Sequence, residues 1–244
     1  MPPRRKSSNN DTNGKTGWPW WRIARRVAIA VIILLALPYL LAPLYRFANP
    51  VSTLMLWRWM TGQRVERTWI PIEGIAPALP LAVIGAEDGT FCHNRGIDLA
   101  AMREAVEQSD DDLGALRGAS TITQQAAKNL FLWQGRSFVR KALELPLALW
   151  LNIVLPKRRV LEIYLNIVEW GPNGEFGAEA ASHWAFNRSA HGLNTQEAAE
   201  LASILPNPHL RSARNPTPLV RRLAGVYVRR SADFPNLDAC IRAH

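Results

Sequence analysis

From Val27 to Tyr45 the chain reads VAIAVIILLALPYLLAPLY, nineteen residues without a charge, with Arg25 and Arg26 before it and Arg46 after it. As a helix this run is roughly 28 Å long, close to the thickness of a bilayer interior. A membrane span is therefore expected at 27–45, with Pro38 and Pro43 as breaks that a spanning helix tolerates better than a soluble one. The net charge of +9 would by itself suggest a nucleic-acid partner. Most of it lies in residues 1–26, where Arg4, Arg5, Lys6, Lys15, Arg22, Arg25 and Arg26 face one acid, Asp11. Positive charge of that kind keeps its flank in the cytoplasm, and Trp18, Trp20 and Trp21 stand where an interfacial belt belongs. No nucleic-acid partner is expected, and the remainder of the chain is placed outside the membrane. A long polar lead-in and the lack of a small-residue cleavage site argue against a cleaved signal peptide.

The rest reads as mainly α. Residues 46–69 are too apolar for a plain linker, with Leu54, Met55, Leu56, Trp57, Trp59 and Met60, and suit a membrane surface and a core about equally. Beyond them a helical domain is expected over 70–208, continued by a helical extension at 209–244. Helices are predicted from Pro80 to Glu87, from Asp98 through Glu107, from Thr121 to about Trp133, from Ser137 to Leu155 with a bend at Pro146, from Lys157 to Ile167, and from Asn194 through Leu205. Thr121 with Gln124 and Asn194 with Glu197 have the spacing of capping boxes. Strand alternation is confined to Thr68–Ile72. Cys92 and Cys240 stand 148 positions apart, and buried thiols rather than a disulfide are expected.

Three segments carry chemistry. Glu87 and Asp88 are adjacent carboxylates at the end of an apolar helix, where the macrodipole disfavours negative charge and burial raises a carboxylate pKa toward the range of proton transfer. Read alone, the pair is a solvated turn more often than an acid or base. Ser120, Thr121, Gln124, Gln125 and Lys128 gather hydroxyls, amides and a cation at a helix start, which suits an anion or a sugar as well as a plain cap. Arg140 and Glu144 share a helix face at i,i+4, with Arg136 just before that helix, a pattern that on a surface contributes well under ~1 kcal/mol. The five histidines lack metal-ligand spacing, and Arg221, Arg222, Arg229 and Arg230 read as a solvated helix face.

Taken together these segments resemble the peptidoglycan glycosyltransferases of family 51, most closely its monofunctional biosynthetic branch. The resemblance covers roughly Val51–Pro208. It rests on Glu87, Asp88 and Phe91 with Gly96 and Asp98; on Gly118 through Gln125; on Arg140, Lys141 and Glu144; on Lys157, Val160, Leu161, Glu162, Tyr164, Leu165 and Asn166; and on Gly171 through Phe186. The chain departs from the family at Asn94, where a His is usual, and at Ala119, where a second Gly is.

The resemblance implies a lysozyme-like helical domain in two lobes behind one transmembrane helix. Its implied activity is polymerisation of lipid II into β-1,4-linked glycan strands with release of undecaprenyl pyrophosphate at the bacterial inner membrane, the domain lying on the periplasmic side. It implies Glu87 as general base and Glu144 as second acid. Lys128, Arg136 and Arg140 would form a diphosphate clamp, with Ser120, Thr121, Gln124 and Gln125 around the donor and Asp88, Phe91 and Asn94 bracing the loop. A divalent cation, Mg or Mn, is the one cofactor suggested, with no organic cofactor. Expected partners are lipid II, the growing lipid-linked glycan, the membrane and cell-wall synthesis proteins. With 38 residues after Pro206 and no Ser-x-x-Lys, a transpeptidase domain is not expected. A lytic glycosidase acting on finished glycan and a non-catalytic scaffold of the wall machinery are the alternatives.

Overall fold

The computed structural model describes residues 20–107, 120–135, 137–233 and 238–242, in two units, 1–37 and 38–244. Helix α1 (Trp20–Leu41) begins seven residues ahead of the uncharged run. Arginine ends an apolar stretch but not a helix, in which it is a good former. With the 3-10 turn Ala42–Arg46 that follows, this helix is long and apolar enough to cross a membrane. Its side chains up to Leu37 are exposed.

Within the second unit, Tyr39 and Tyr45 are tied to the helices that follow. Trp150 Nε1 donates to Tyr39 O at 3.0 Å, and Tyr45 stacks on Phe131 with ring centroids 5.9 Å apart. Helix α2 (Thr53–Met60) is capped by Ser52, whose Oγ accepts from Met55 N at 3.1 Å. Met55 and Arg58 turn inward while Trp57, Trp59 and Met60 are exposed, so the segment has both a core face and an apolar outer face. The strand expected at Thr68–Ile72 is not formed. Strand β1 is Glu66–Arg67, parallel to β2 (Glu175–Phe176), and Ile72 opens a 3-10 turn. Ile70 instead finds its partner in a side chain: Asn166 Nδ2 donates to Ile70 O at 2.8 Å and Asn166 Oδ1 accepts from Ile70 N at 3.0 Å. One amide takes the place of a neighbouring strand.

Helix α3 (Ala78–Glu87) is apolar nearly all round because it is enclosed, packing on α9 (Thr195–Ile204) and α10 (Pro218–Asp233). It starts two residues before Pro80, whose missing N–H falls among the first-turn donors that have no intrahelical partner. Helix α4 (Leu99–Glu107) is capped by Asp98, whose Oδ1 accepts from Ala101 N at 2.9 Å. Helix α5 (Ile122–Phe131) packs on α6 (Phe138–Val154) and α7 (Lys157–Ile167), and α7 packs on α8 (Gly177–Phe186). Both capping boxes form. The architecture is mainly α, as the periodicity predicts, with ends shifted by one or two residues.

The cysteines correct the sequence reading. Cys92 and Cys240 form a disulfide with Cα atoms 5.3 Å apart, joining the loop after α3 to the short α11 (Ala239–Arg242). Arg158 of α7 donates to Ile241 O, which brings the two distant sulfurs into register. Docking, not spacing, decides the pairing.

Asn166→Ala should lower stability by about 1–3 kcal/mol, the cost of leaving the Ile70 N–H and C=O without partners, read from chemical unfolding of the detergent-solubilised chain.

Candidate active site

The last residue of α3 is Glu87. Its Oε2 accepts from Gln125 Nε2 at 2.7 Å, and Gln125 Oε1 in turn accepts from the hydroxyl of fully buried Tyr164 at 2.9 Å. The phenol fixes which way the amide faces, so the amide can only donate to the carboxylate. Burial pushes the Glu87 pKa above its ordinary 4.5; the Gln125 hydrogen bond and the charges of Lys128 and Arg211 pull against that, and Asp88 adds to it.

Asp88 turns the other way. Its Oδ2 accepts from Ile122 N at 3.0 Å, the first residue of α5, where the dipole favours a negative charge. Asn94 Nδ2 donates to both its oxygens, at 2.9 and 3.1 Å, and the Thr90 hydroxyl donates to Oδ1 at 3.1 Å. Asn94 Oδ1 meanwhile accepts from Lys157 Nζ at 2.8 Å and from Gly96 N at 3.0 Å. The contact expected at position 94 is thus present in altered form, one amide bridging a carboxylate and an ammonium. Lys157 also lies 4.7 Å over the ring of fully buried Phe91. Gly96 has φ +92°, and a Cβ there would lie 2.6 Å from Ala148 O, so the loop rests directly on the α6 backbone.

The third group is cationic. Buried Glu144 accepts from Arg140 through Oε1 and from Lys141 Nζ through Oε2 at 3.1 Å. Lys141 Nζ also donates to Ser120 Oγ at 2.8 Å. Burial and the neighbouring charges of Arg140 and Lys128 bring the Lys141 pKa down to about 8. Lys128 is the link between the groups: its pKa is lowered by burial and by Arg140 and raised by Glu87. Arg140 Nε is buried without a hydrogen-bond partner among the described residues, a donor suited to an oxygen from outside the chain.

One acid at a helix end, one amide relay and a cation set thus sit within electrostatic reach of each other. The transglycosylase family model matches residues 55–230. The chain belongs to the transglycosylase family. It is 60% identical over 210 residues to a biosynthetic peptidoglycan transglycosylase of Rhodopseudomonas palustris (strain TIE-1), covering 86% of this chain and 89% of that one. A protein of the same description from Nitrobacter hamburgensis is 58% identical, covering 88% and 94%, and one from Agrobacterium fabrum is 47% identical, covering 90% and 97%.

In this transglycosylase Glu87, Asp88, Phe91, Asn94, Gln125, Lys128, Arg140, Glu144 and Ser120 line up along α3, the loop after it, α5 and α6. Thr121 and Gln124 differ from the expectation of a substrate-lining role. They are 2% and 0% exposed and close the capping box, the Thr121 hydroxyl donating to Gly96 O at 2.6 Å, so they build the start of α5. Arg136, with Gly118 and Ala119, lies outside the described residues. Lys141, Tyr164 and Lys157, which motif reading quoted without assigning a role, bond to the candidate residues Glu144, Gln125 and Asn94. Lys141 was legible, standing i,i+3 from Glu144; Arg211 was not, because a loop far along the chain delivers it. The carboxylates do not fit a protein-held cation. Both Glu144 oxygens already face cations, and no three His, Cys, Asp or Glu side chains converge among the described residues.

The raised Glu87 pKa fixes the sign of a stability change. Above pH ~4.5 the unfolded chain has released a proton that the native state retains, so stability falls as pH rises through the folded-state pKa. Glu87→Gln should therefore unfold at higher temperature than wild type at neutral pH, with the difference closing below about pH 4.

Proposed function

We propose that this chain is a peptidoglycan glycosyltransferase that joins the disaccharide units of lipid II into β-1,4-linked glycan with release of undecaprenyl pyrophosphate. The observation that carries the reading is the electrostatic sequence Glu87, Lys128, Arg140: a desolvated carboxylate coupled through one lysine to a cation cluster. In the reaction the acceptor's 4-hydroxyl gives its proton to Glu87 as its oxygen bonds to the donor's anomeric carbon. The bond from that carbon to the diphosphate breaks, and the pair of electrons leaves on the phosphate. A sugar hydroxyl needs the base because its own pKa is far above neutrality. The leaving group needs the cations because its charge develops in the transition state, where preorganised donors act most strongly.

Lys128, Arg140 and Lys141 are the described members of that clamp, with Arg136 as a further one. Glu144 acts through Arg140 and Lys141, holding two like charges close enough to grip one diphosphate. A lytic glycosidase has no diphosphate to hold and no use for such a cluster.

The chain is read as a single-pass inner-membrane protein with a cytoplasmic N-terminus and a periplasmic domain, meeting lipid II, the lengthening glycan and other wall-synthesis proteins there. The charge asymmetry around the apolar helix supports the orientation. The exposed Trp57, Trp59 and Met60 of α2 and Phe138 and Val139 of α6 support a domain that rests against lipid.

Supplied with lipid II, the full chain in detergent should lengthen glycan and should leave finished strands intact; shortening of strands instead would overturn the reading. Glu87→Gln should lose at least 10²–10⁴-fold in rate, the range for removing a general base.

The alkaline limb of kcat/KM should fall near pH 8, where Lys141 loses its charge. Lys141→Arg, charged at every working pH, should move that limb upward, as a pH series on both proteins would show.

A further inference from the structure

Helix α3 ends in an acid with no basic residue in its last turn, an arrangement that leaves C-terminal carbonyls and a carboxylate together. The compensation comes from far along the chain. Arg230 of α10 donates from Nη1 to Gly85 O at 3.2 Å, a last-turn carbonyl two residues before Glu87. Its guanidinium lies 6.0 Å over the ring of nearly buried Tyr227, on the helix that packs against α3. Five residues after Glu87, Cys92 is bonded to Cys240, and Cys240 N donates to the Cys92 sulfur at 3.1 Å. The helix that carries Cys240 is itself held by Arg158, through Ile241 O. Residue 85 is therefore fastened to α10 and residue 92 to α11, and α11 lies beyond the family match at 55–230.

We propose that α10 and α11 are a positioning brace for Glu87, acting through Arg230 on one side and the Cys92–Cys240 disulfide on the other. The inference rests on the base role given to Glu87 above. The physical case is that a general base works only within hydrogen-bond reach of the proton it removes, and a displacement of about 1 Å can cost on the order of 10²-fold in rate. Arg230 supplies the cation that α3 lacks at its dipole's negative end. The disulfide stops the loop from pulling the helix end outward.

The test uses the full chain in detergent with lipid II, at a temperature where each variant is fully folded. Arg230→Ala and the double variant Cys92→Ala with Cys240→Ala should each lower kcat by about tenfold, with KM for lipid II unchanged within about twofold. Arg230→Lys, still able to reach the carbonyl with a charged donor, should recover most of the loss. In the double variant, water reaching Glu87 should relax its raised pKa, moving the acidic limb of kcat/KM to lower pH. Dithiothreitol, oxidised to its cyclic disulfide as Cys92 and Cys240 become thiols, should slow wild type and leave the double variant unchanged.

Variants that lose thermal stability yet keep the wild-type kcat and pH profile would reduce these helices to a structural support and overturn the proposal. A raised KM with kcat intact would do the same by placing them in substrate binding. A second readout needs no turnover: the neutral-pH stability gap between wild type and Glu87→Gln should shrink when both cysteines are replaced. A wild-type chain inert toward lipid II would defeat the polymerase reading, while this gap would still decide the brace.

Discussion

A carboxylate desolvated at the negative end of a helix is the constraint around which the rest of the domain is arranged. Two adverse effects meet at Glu87, loss of water and the α3 dipole, and each raises the free energy of the ionised form. What makes the placement tolerable is specific. Gln125, oriented by Tyr164, gives one hydrogen bond, Lys128 and Arg211 give positive potential, and Arg230 occupies a carbonyl of the last turn. Asp88, its neighbour in sequence, is also raised in pKa by burial, but a change of backbone direction aims it at the start of α5, where hydrogen bonds from Ile122, Asn94 and Thr90 pull the other way. The two adjacent acids therefore have different surroundings, one held by an amide at the end of α3 and one tied to the start of α5.

The cation cluster follows the same logic with the sign reversed. Arg140, Lys141 and Lys128 repel one another, and burial sharpens the repulsion. Glu144 reduces it by taking one cation on each oxygen. A buried ion pair is a weak device for stability because desolvation offsets most of the attraction, yet it fixes geometry well. In this site it fixes two donors side by side on one turn of α6, and the Arg140 Nε beside them has no partner among the described residues. Such a set of like charges favours an anion beside it.

Around these two groups the scaffold uses side-chain amides where longer structure would not fit. Asn166 replaces a strand partner for Ile70, and Asn94 joins Asp88 to Lys157 across the loop. At position 94 an amide is well matched, since its Nδ2 donates to both carboxylate oxygens while its Oδ1 accepts two further bonds. The loop between α3 and α4 is thereby held at Asp88, at Gly96 against α6 and at Cys92 by the disulfide.

Much of this was legible in the residues. The apolar run before Arg46, the capping boxes at Thr121 and Asn194, and the i,i+4 pair Arg140–Glu144 are local patterns, and local patterns act through neighbours one turn apart, so sequence shows them directly. The place of Glu87 at the end of an apolar helix was legible too, but alone it read more readily as a solvated turn, and its role came from the family resemblance. The tie from Thr121 to Gly96, the Ile70–Asn166 pairing, the reach of Arg211 toward Glu87 and the Cys92–Cys240 bond were decided by the tertiary fold. Each depends on a second segment 25 or more residues away arriving with a particular side chain in hydrogen-bonding, bonding or electrostatic range. Periodicity fixes which face of a helix is apolar, but which distant backbone that face meets is settled by packing, and with it the pKa of the acid at the helix end.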